Sequence, residues 1–125
     1  MARSILLTII LLTAELSVAE ADLLQTAETV LVYQRESGGW PKNYDREEPL
    51  TEARRKEIIA DRQQRDSTID NGATHREIRI LASAFEQSGD EKYRKAALRG
   101  IEFLIDAQYE NGGWPQYYPL TSGYH

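Results

Sequence analysis

Two short polar loops hold the residues of this chain that are best suited to chemistry. One of them contains Asp70 and Asn71, and adjacent carboxylate and amide oxygens are ligands that calcium prefers. Gly72 allows a sharp turn there, and the helix predicted to follow would favour an anion at its N-terminus. A metal-bridged carboxylate substrate fits this loop. A plain capping turn, in which both side chains bind only backbone amides, fits it as well.

The other loop runs from residue 38 to residue 45 and is rich in aromatic and hydrogen-bonding groups. Lys42 could pair with a carboxylate as a compact charge, and the faces of tyrosine and tryptophan stack on sugar rings. Trp40 recurs further along as Trp114, and this recurrence favours packing anchors for both tryptophans. A third loop offers more polar and aromatic candidates, namely Gln116, Tyr117 and Tyr118.

Thiolate chemistry is excluded, because the sequence contains no cysteine. Its two histidines, His75 and His125, are 50 residues apart and are a poor basis for a zinc site. His75 lies in the first turn of a predicted helix with no evident partner, so we do not expect it to act as an acid or base.

An internal repeat positions the loops. QRESGGWP begins at Gln34 and QYENGGWP begins at Gln108, which gives a period of 74 residues. Each copy follows an apolar stretch with helical spacing, whereas no stretch alternates as a strand would. The sequence therefore predicts an all-α fold of helical hairpins, arranged as an α/α solenoid or toroid with its functional loops at one end.

The predicted helices have recognisable ends. The first closes at Gly38, and a short helix with a thin apolar face falls within residues 52–64. The second opens with a capping box formed by Thr74 and Glu77 and closes at Gly89. The third begins after an N-cap at Asp90 and closes at Gly112. Its predicted apolar face is Tyr93, Ala97, Ile101, Leu104 and Gln108.

Residues 1–21 have the layout of a secretory signal peptide, with a basic start, an apolar run and small residues at Ala19 and Ala21. A membrane anchor is the alternative, but the apolar run is short for a bilayer. We therefore expect residues 22–125 to be a secreted or periplasmic protein that is not attached to a membrane after the signal peptide is cleaved. Loss of Arg3, Glu15 and Glu20 changes the net charge from −5 to −4, which gives no general attraction to nucleic acid.

Three segments in order, GGWPKNYD, STIDNGATH and GDEKYRKAALRGIEFLIDAQYENGGWPQYYPL, resemble the pectate lyases with an α/α toroid catalytic domain. The resemblance implies Ca²⁺-dependent β-elimination of polygalacturonate, with an arginine as the base. It implies that Asp70 lies in the catalytic centre at the calcium and the substrate. It also implies that the substrate-binding residues include Asn71, Lys42 and Tyr44.

The resemblance also implies that the catalytic arginine and a second acidic motif lie beyond His125. Residues 22–125 are thus interpreted as the N-terminal part of the domain. We expect this part to be inactive and marginally folded, with incomplete cover over the apolar stripe of its third helix. Arg76 and Arg79 are read as helix-surface or packing residues rather than as the base. Two alternatives remain open: a non-catalytic sugar-binding fragment, and a terpene cyclase-like toroid whose QxxxGGW repeats are structural ties.

Overall fold

The computed structural model describes the backbone of residues 2–120 and the side chains of residues 18–120. This part contains four α-helices: α1 (Ala2–Tyr33), α2 (Glu52–Ala60), α3 (His75–Ser88) and α4 (Glu91–Ala107). A single 3-10 turn, Asp70–Gly72, precedes α3. The one extended pairing within these residues is an isolated antiparallel bridge between Thr68 and Tyr117. The all-α prediction is confirmed, and the elements are the helical hairpins of which an α/α toroid is built.

The core lies where α3 packs against both α1 and α4. Apolar side chains recur at helical spacing on α1 and α3, so each helix presents one continuous face to the others. A large apolar side chain fully buried in this way stabilises the fold by about 1.5–3 kcal/mol. The buried cluster consists of Ala27, Val30, Val32, Tyr33, Trp40, Ile58, Leu81, Ala84, Tyr93, Ala96 and Ala97.

Two helices end earlier than the glycine signals predicted. α1 ends at Tyr33 and α4 ends at Ala107, before Gly38 and Gly112 respectively. Both glycines lie inside the following loops, with φ of 95° and 89°, and such left-handed angles favour glycine. The glycines therefore turn the loops and do not cap the helices. The prediction that Gly89 closes α3 is confirmed, with φ of 71° at the helix end.

The predicted capping box at the start of α3 is wrong. Thr74 makes no side-chain bond to the first turn of the helix, because its hydroxyl binds two distant loop residues. Glu77 is fully buried and pairs with Arg46 instead. The predicted N-cap at Asp90 is confirmed, since its carboxylate accepts a hydrogen bond from the backbone N–H of Lys92.

The apolar face of α4 is rotated from the predicted one. Tyr93 and Ala97 are buried as expected, and the helix also buries Gly100 and Phe103. Ile101 was placed in the stripe, yet 41% of its surface is exposed. Glycine carries no hydrophobic signal of its own, so a periodicity argument misses the side of the helix on which Gly100 makes close contact.

Residues 2–21 of the predicted signal segment fall in α1, which continues unbroken to Tyr33. The side chains of residues 1–17 lie outside the described residues, as does His125. The predicted cleavage point after Ala21 lies within the helix, at an exposed position. Within the described residues, no helix combines the length and the apolar character that a membrane crossing requires.

Candidate functional site

Thr68 joins the three loops that the sequence singled out. Its backbone N–H donates to the carbonyl of Trp40 over 3.0 Å, which ties it to the first loop. Its hydroxyl accepts from the backbone N–H of Asp70 over 3.0 Å and donates to the carbonyl of Gln116 in the third loop. Thr68 is buried, so water does not compete for these bonds. The three loops therefore form one surface.

On that surface, two side chains donate hydrogen bonds to the Asp70 carboxylate. The Lys42 ammonium donates to Asp70 Oδ2 over 2.6 Å, and Gln116 Nε2 donates to the same oxygen over 3.1 Å. Lys42 and Gln116 are 74 residues apart, which is the period of the repeat. Equivalent positions of the two repeats thus grip one carboxylate. The register of the repeat could have revealed that Lys42 and Gln116 are equivalent positions. It gives no sign that both side chains bind Asp70.

The ion pair shifts the titration of both partners. The hydrogen bond from Lys42 is the largest cause that lowers the pKa of Asp70 below its ordinary value. The same bond raises the pKa of Lys42, whose ammonium also lies 5.6 Å from the centre of the Tyr117 ring. Asp70 is therefore a carboxylate and Lys42 an ammonium at neutral pH. The site offers one positive and one negative group side by side, both partly exposed.

Two asparagines extend the site, because Asn71 Nδ2 donates to Asn43 Oδ1 over 3.2 Å. Asn43 and Asn71 have φ of 65° and 52°, and Thr74 has φ of 71°. Left-handed angles are costly for a β-branched residue such as Thr74, and strained residues often gather at functional sites. The Thr74 hydroxyl offsets part of this cost by donating to the Thr68 carbonyl over 2.8 Å.

A buried carboxylate supports the first loop from beneath. Glu77 is fully buried, and its Oε1 accepts from Arg46 over 2.6 Å and from the Tyr44 hydroxyl over 3.0 Å. Its Oε2 has no hydrogen-bond partner among the described residues. Burial, followed by the charge of Glu77, raises the pKa of Tyr44, so this phenol stays protonated. Glu77 thereby fixes the loop that presents Lys42.

The sequence-predicted residues do not all meet. Lys42 and Asp70 are in contact, and Asn71 lies beside them through Asn43. The Tyr44 hydroxyl is bound to α3 and its ring stacks on Tyr33 at 4.0 Å. A substrate contact for Tyr44 therefore stays a prediction.

Trp40 is fully buried, so its predicted packing role is confirmed, whereas Trp114 is 42% exposed. His75, Arg76 and Arg79 are exposed on α3.

The described residues supply only part of a calcium site. Calcium takes six to eight oxygen ligands, among which carboxylates are prominent. No group of three or more His, Asp or Glu side chains within residues 18–120 could hold a metal ion together. Asp70 offers a suitable carboxylate, but Lys42 and Gln116 already bind one of its oxygens. A complete calcium site would need further ligands beyond these.

A separate cleft of about 820 Å³ lies between α1, α2 and α4. Its lining contains neither Lys42 nor Asp70. Two of the cations that line it are already in ion pairs, Arg35 with Asp66 and Lys92 with Glu28. The cleft is therefore separate from the loops that carry Lys42 and Asp70.

Helical hairpins that present paired charges on loops at one end define an α-helical repeat protein with a loop-borne polar site. The family described as pectic acid lyase matches residues 34–125, and the chain belongs to this family. Family membership sets aside the terpene cyclase alternative.

Two similar solved structures are of a family 10 polysaccharide lyase from Cellvibrio cellulosa. One is a point mutant in complex with trigalacturonic acid, with 36% identity and a TM-score of 0.61. The other has 37% identity and the same TM-score of 0.61. Each match covers 79% of this chain and 28% of the other, so the chain spans less than a third of their length. Among curated proteins, no match was found.

Proposed function

We propose that this chain forms part of a pectate lyase, and that the three-loop surface binds the acidic sugars of polygalacturonate. The observation that carries the proposal is the partly exposed Lys42–Asp70 pair, in which Lys42 and the equivalent residue of the second repeat, Gln116, both bind Asp70. Family membership and the similarity to a polysaccharide lyase in complex with trigalacturonic acid support the choice of substrate class.

Lys42 is the natural partner of a uronate carboxylate at this site. Its ammonium is a compact charge with three donors, so it can turn from Asp70 to an incoming carboxylate while keeping its charge. The amides of Gln116 and Asn71 lie next to the pair and can bond sugar hydroxyls. Tyr117, whose ring lies near Lys42, offers a face on which a sugar ring can stack.

Asp70 is proposed as one ligand of a calcium ion that is completed by the substrate and by groups beyond the described residues. Such an ion, when bound, would withdraw electrons from the uronate carboxylate and make the C5 proton more acidic. Asp70 would hold such an ion through its carboxylate, whose negative charge attracts a cation. We assign the base that removes the C5 proton to no residue of this chain.

Export across a membrane is also part of the proposal, since residues 1–21 resemble a signal peptide. N-terminal sequencing of the secreted protein should then give a sequence that begins close to Asp22. Mature protein that retains Met1 would contradict export by this route.

Calorimetric titration of the chain with trigalacturonic acid, with and without calcium, tests the proposed binding. Lys42→Met and Asp70→Asn should each weaken binding roughly tenfold or more, because a hydrogen bond to a charged group contributes about 1.5–3 kcal/mol. Lys56→Met is the matched control, since it removes an exposed lysine on α2 and should leave affinity unchanged. Equal affinity for all four proteins would contradict the assignment.

A further inference from the structure

The two repeat loops, residues 34–41 and residues 108–115, share the same internal bonds. In each loop the glutamine amide donates to the carbonyl of the first glycine over 2.9 Å. In each, the indole N–H donates over 2.8 Å to a carbonyl ten residues earlier in the chain. The pairs are Gln34–Gly38 and Trp40–Val30 in the first loop, and Gln108–Gly112 and Trp114–Leu104 in the second.

Helix α4 packs against the first loop. The Gln34 amide donates a second bond, to the carbonyl of Ala96 on α4, over 3.0 Å. A side-chain carbon on Gly39 would lie 2.8 Å from the ring of Phe103. One on Gly100 would lie 2.8 Å from the ring of Trp40. These distances are too short for any side chain, so the glycines are required by the close approach of helix and loop.

The second loop has the same shape without the helix. Gly113 is the counterpart of Gly39, and a side-chain carbon there would meet, apart from its chain neighbours, only Asn111 and Tyr109 within 4 Å among the described residues. Gly113 is also not among the glycines with positive φ, so its backbone does not call for glycine. Trp114 is 42% exposed where Trp40 is fully buried. Nothing among the described residues accounts for the absence of a side chain at Gly113.

An apolar strip on α4 adjoins this loop. Leu98, Ile101 and Ile105 follow one another at helical spacing and are all exposed, and Trp114 binds the end of the same helix. Exposed apolar side chains that form a stripe indicate a contact surface, whereas single ones are ordinary. We call the second repeat loop and this strip together the acceptor surface.

We propose that the acceptor surface docks an α-helix with a glycine and, three residues later, an aromatic residue, as Gly100 and Phe103 stand in α4. The occupied first loop shows what each feature would do. The bare glycine would lie on the Trp114 indole, the aromatic ring would cover Gly113, and a helix carbonyl would accept the second bond of Gln108. The occupant is a third copy of the repeated helix, contributed by polypeptide with this pattern.

A second copy of this chain does not meet the requirement. The glycine face of its own α4 is already buried against its own first loop, with Gly100 on Trp40. To present that face to another molecule, α4 would have to leave α3, with which it makes its most extensive contact.

A peptide with the sequence of residues 90–108 can serve as the probe, held helical by a lactam bridge between the exposed side chains of Glu91 and Lys95. Added to the whole chain, it should bind saturably and shift tryptophan emission to shorter wavelength. It should also reduce acrylamide quenching. Trp114→Phe should abolish these changes, because Trp40 is already buried. A peptide in which Gly100 is replaced by leucine should bind at least tenfold more weakly.

Gly113→Leu in the chain separates the acceptor surface from the first loop as the binding place. It should weaken binding at least tenfold while leaving the thermal midpoint unchanged, because no described residue outside its own loop crowds Gly113. Equal binding of both peptides, or no saturable binding at millimolar peptide, would overturn the proposal. Sedimentation that shows dimers with Trp114 protected before any peptide is added would also overturn it, in favour of a second copy.

Discussion

The first and second repeat loops have nearly identical internal hydrogen bonds and opposite surroundings. Trp40 is sealed between α1 and α4, whereas Trp114 makes the same indole bond at the surface. Local sequence is therefore sufficient for the shape of the loop, because the glutamine and indole bonds close within each copy. Burial depends on a helix from elsewhere in the chain. The repeat loop therefore becomes part of the core only when a helix packs against it.

The same comparison explains the candidate site. Lys42 and Gln116 each come directly after the proline that ends a repeat loop, and both bind Asp70 Oδ2. One is a cation and the other a neutral amide. Equivalent positions of the two repeats thus carry side chains of different chemistry, and both side chains bind Asp70. The loop that precedes the cation is the one against which α4 packs.

The tryptophans should separate the two loops most strongly. Trp40→Ala should lower the free energy of unfolding by about 3–5 kcal/mol, as expected for a fully buried large aromatic residue. Trp114→Ala should cost about 1 kcal/mol or less, because 42% of the Trp114 surface is exposed to solvent. Urea unfolding followed by circular dichroism measures both. Equal losses would mean that the second loop is covered in solution and would break the comparison.

The second glycines of the two loops should separate them by a smaller amount. Gly39→Ala forces a methyl group against the Phe103 ring at 2.8 Å, and such overpacking typically costs about 1–3 kcal/mol. Among the described residues, the methyl group of Gly113→Ala would meet the Asn111 side chain at 3.2 Å, which can move aside, and the Tyr109 ring at an ordinary contact distance of 4.0 Å. Its midpoint in urea should stay within experimental error of the parent chain. A large loss at position 113 would show that the loop has a neighbour in solution.

The smallest effect should appear in the titration of Asp70. Lys42 is the main cause of its lowered pKa and Gln116 a lesser one, so Lys42→Met should raise that pKa more than Gln116→Met does. A pKa lowered by folding stabilises the protein above the ordinary value of 3.8, and this contribution is lost as pH falls through the folded-state value. Carbon-detected NMR of the carboxylate follows the titration directly. Equal shifts in the two variants would contradict the unequal roles of the repeats.

Periodicity and turn residues were enough to predict the helices, the repeat and the loops that carry Lys42 and Asp70. They failed where a tertiary contact overrides a local rule. Thr74 looked like a helix cap, but its hydroxyl bonds the Trp40 N–H and the Thr68 carbonyl. The contact of Gln116 with Asp70 joins residues 46 positions apart, and no local pattern encodes it.

The location of sugar binding is the most direct test of the proposed function. A ¹⁵N-labelled chain titrated with trigalacturonic acid in the presence of calcium should show its largest shifts at Lys42, Asp70 and Gln116, together with the amides beside them. That pattern would place the acidic sugar between the two repeats, as the account requires. Shifts centred instead on Arg55 and Arg62, in the cleft between α1, α2 and α4, would contradict it.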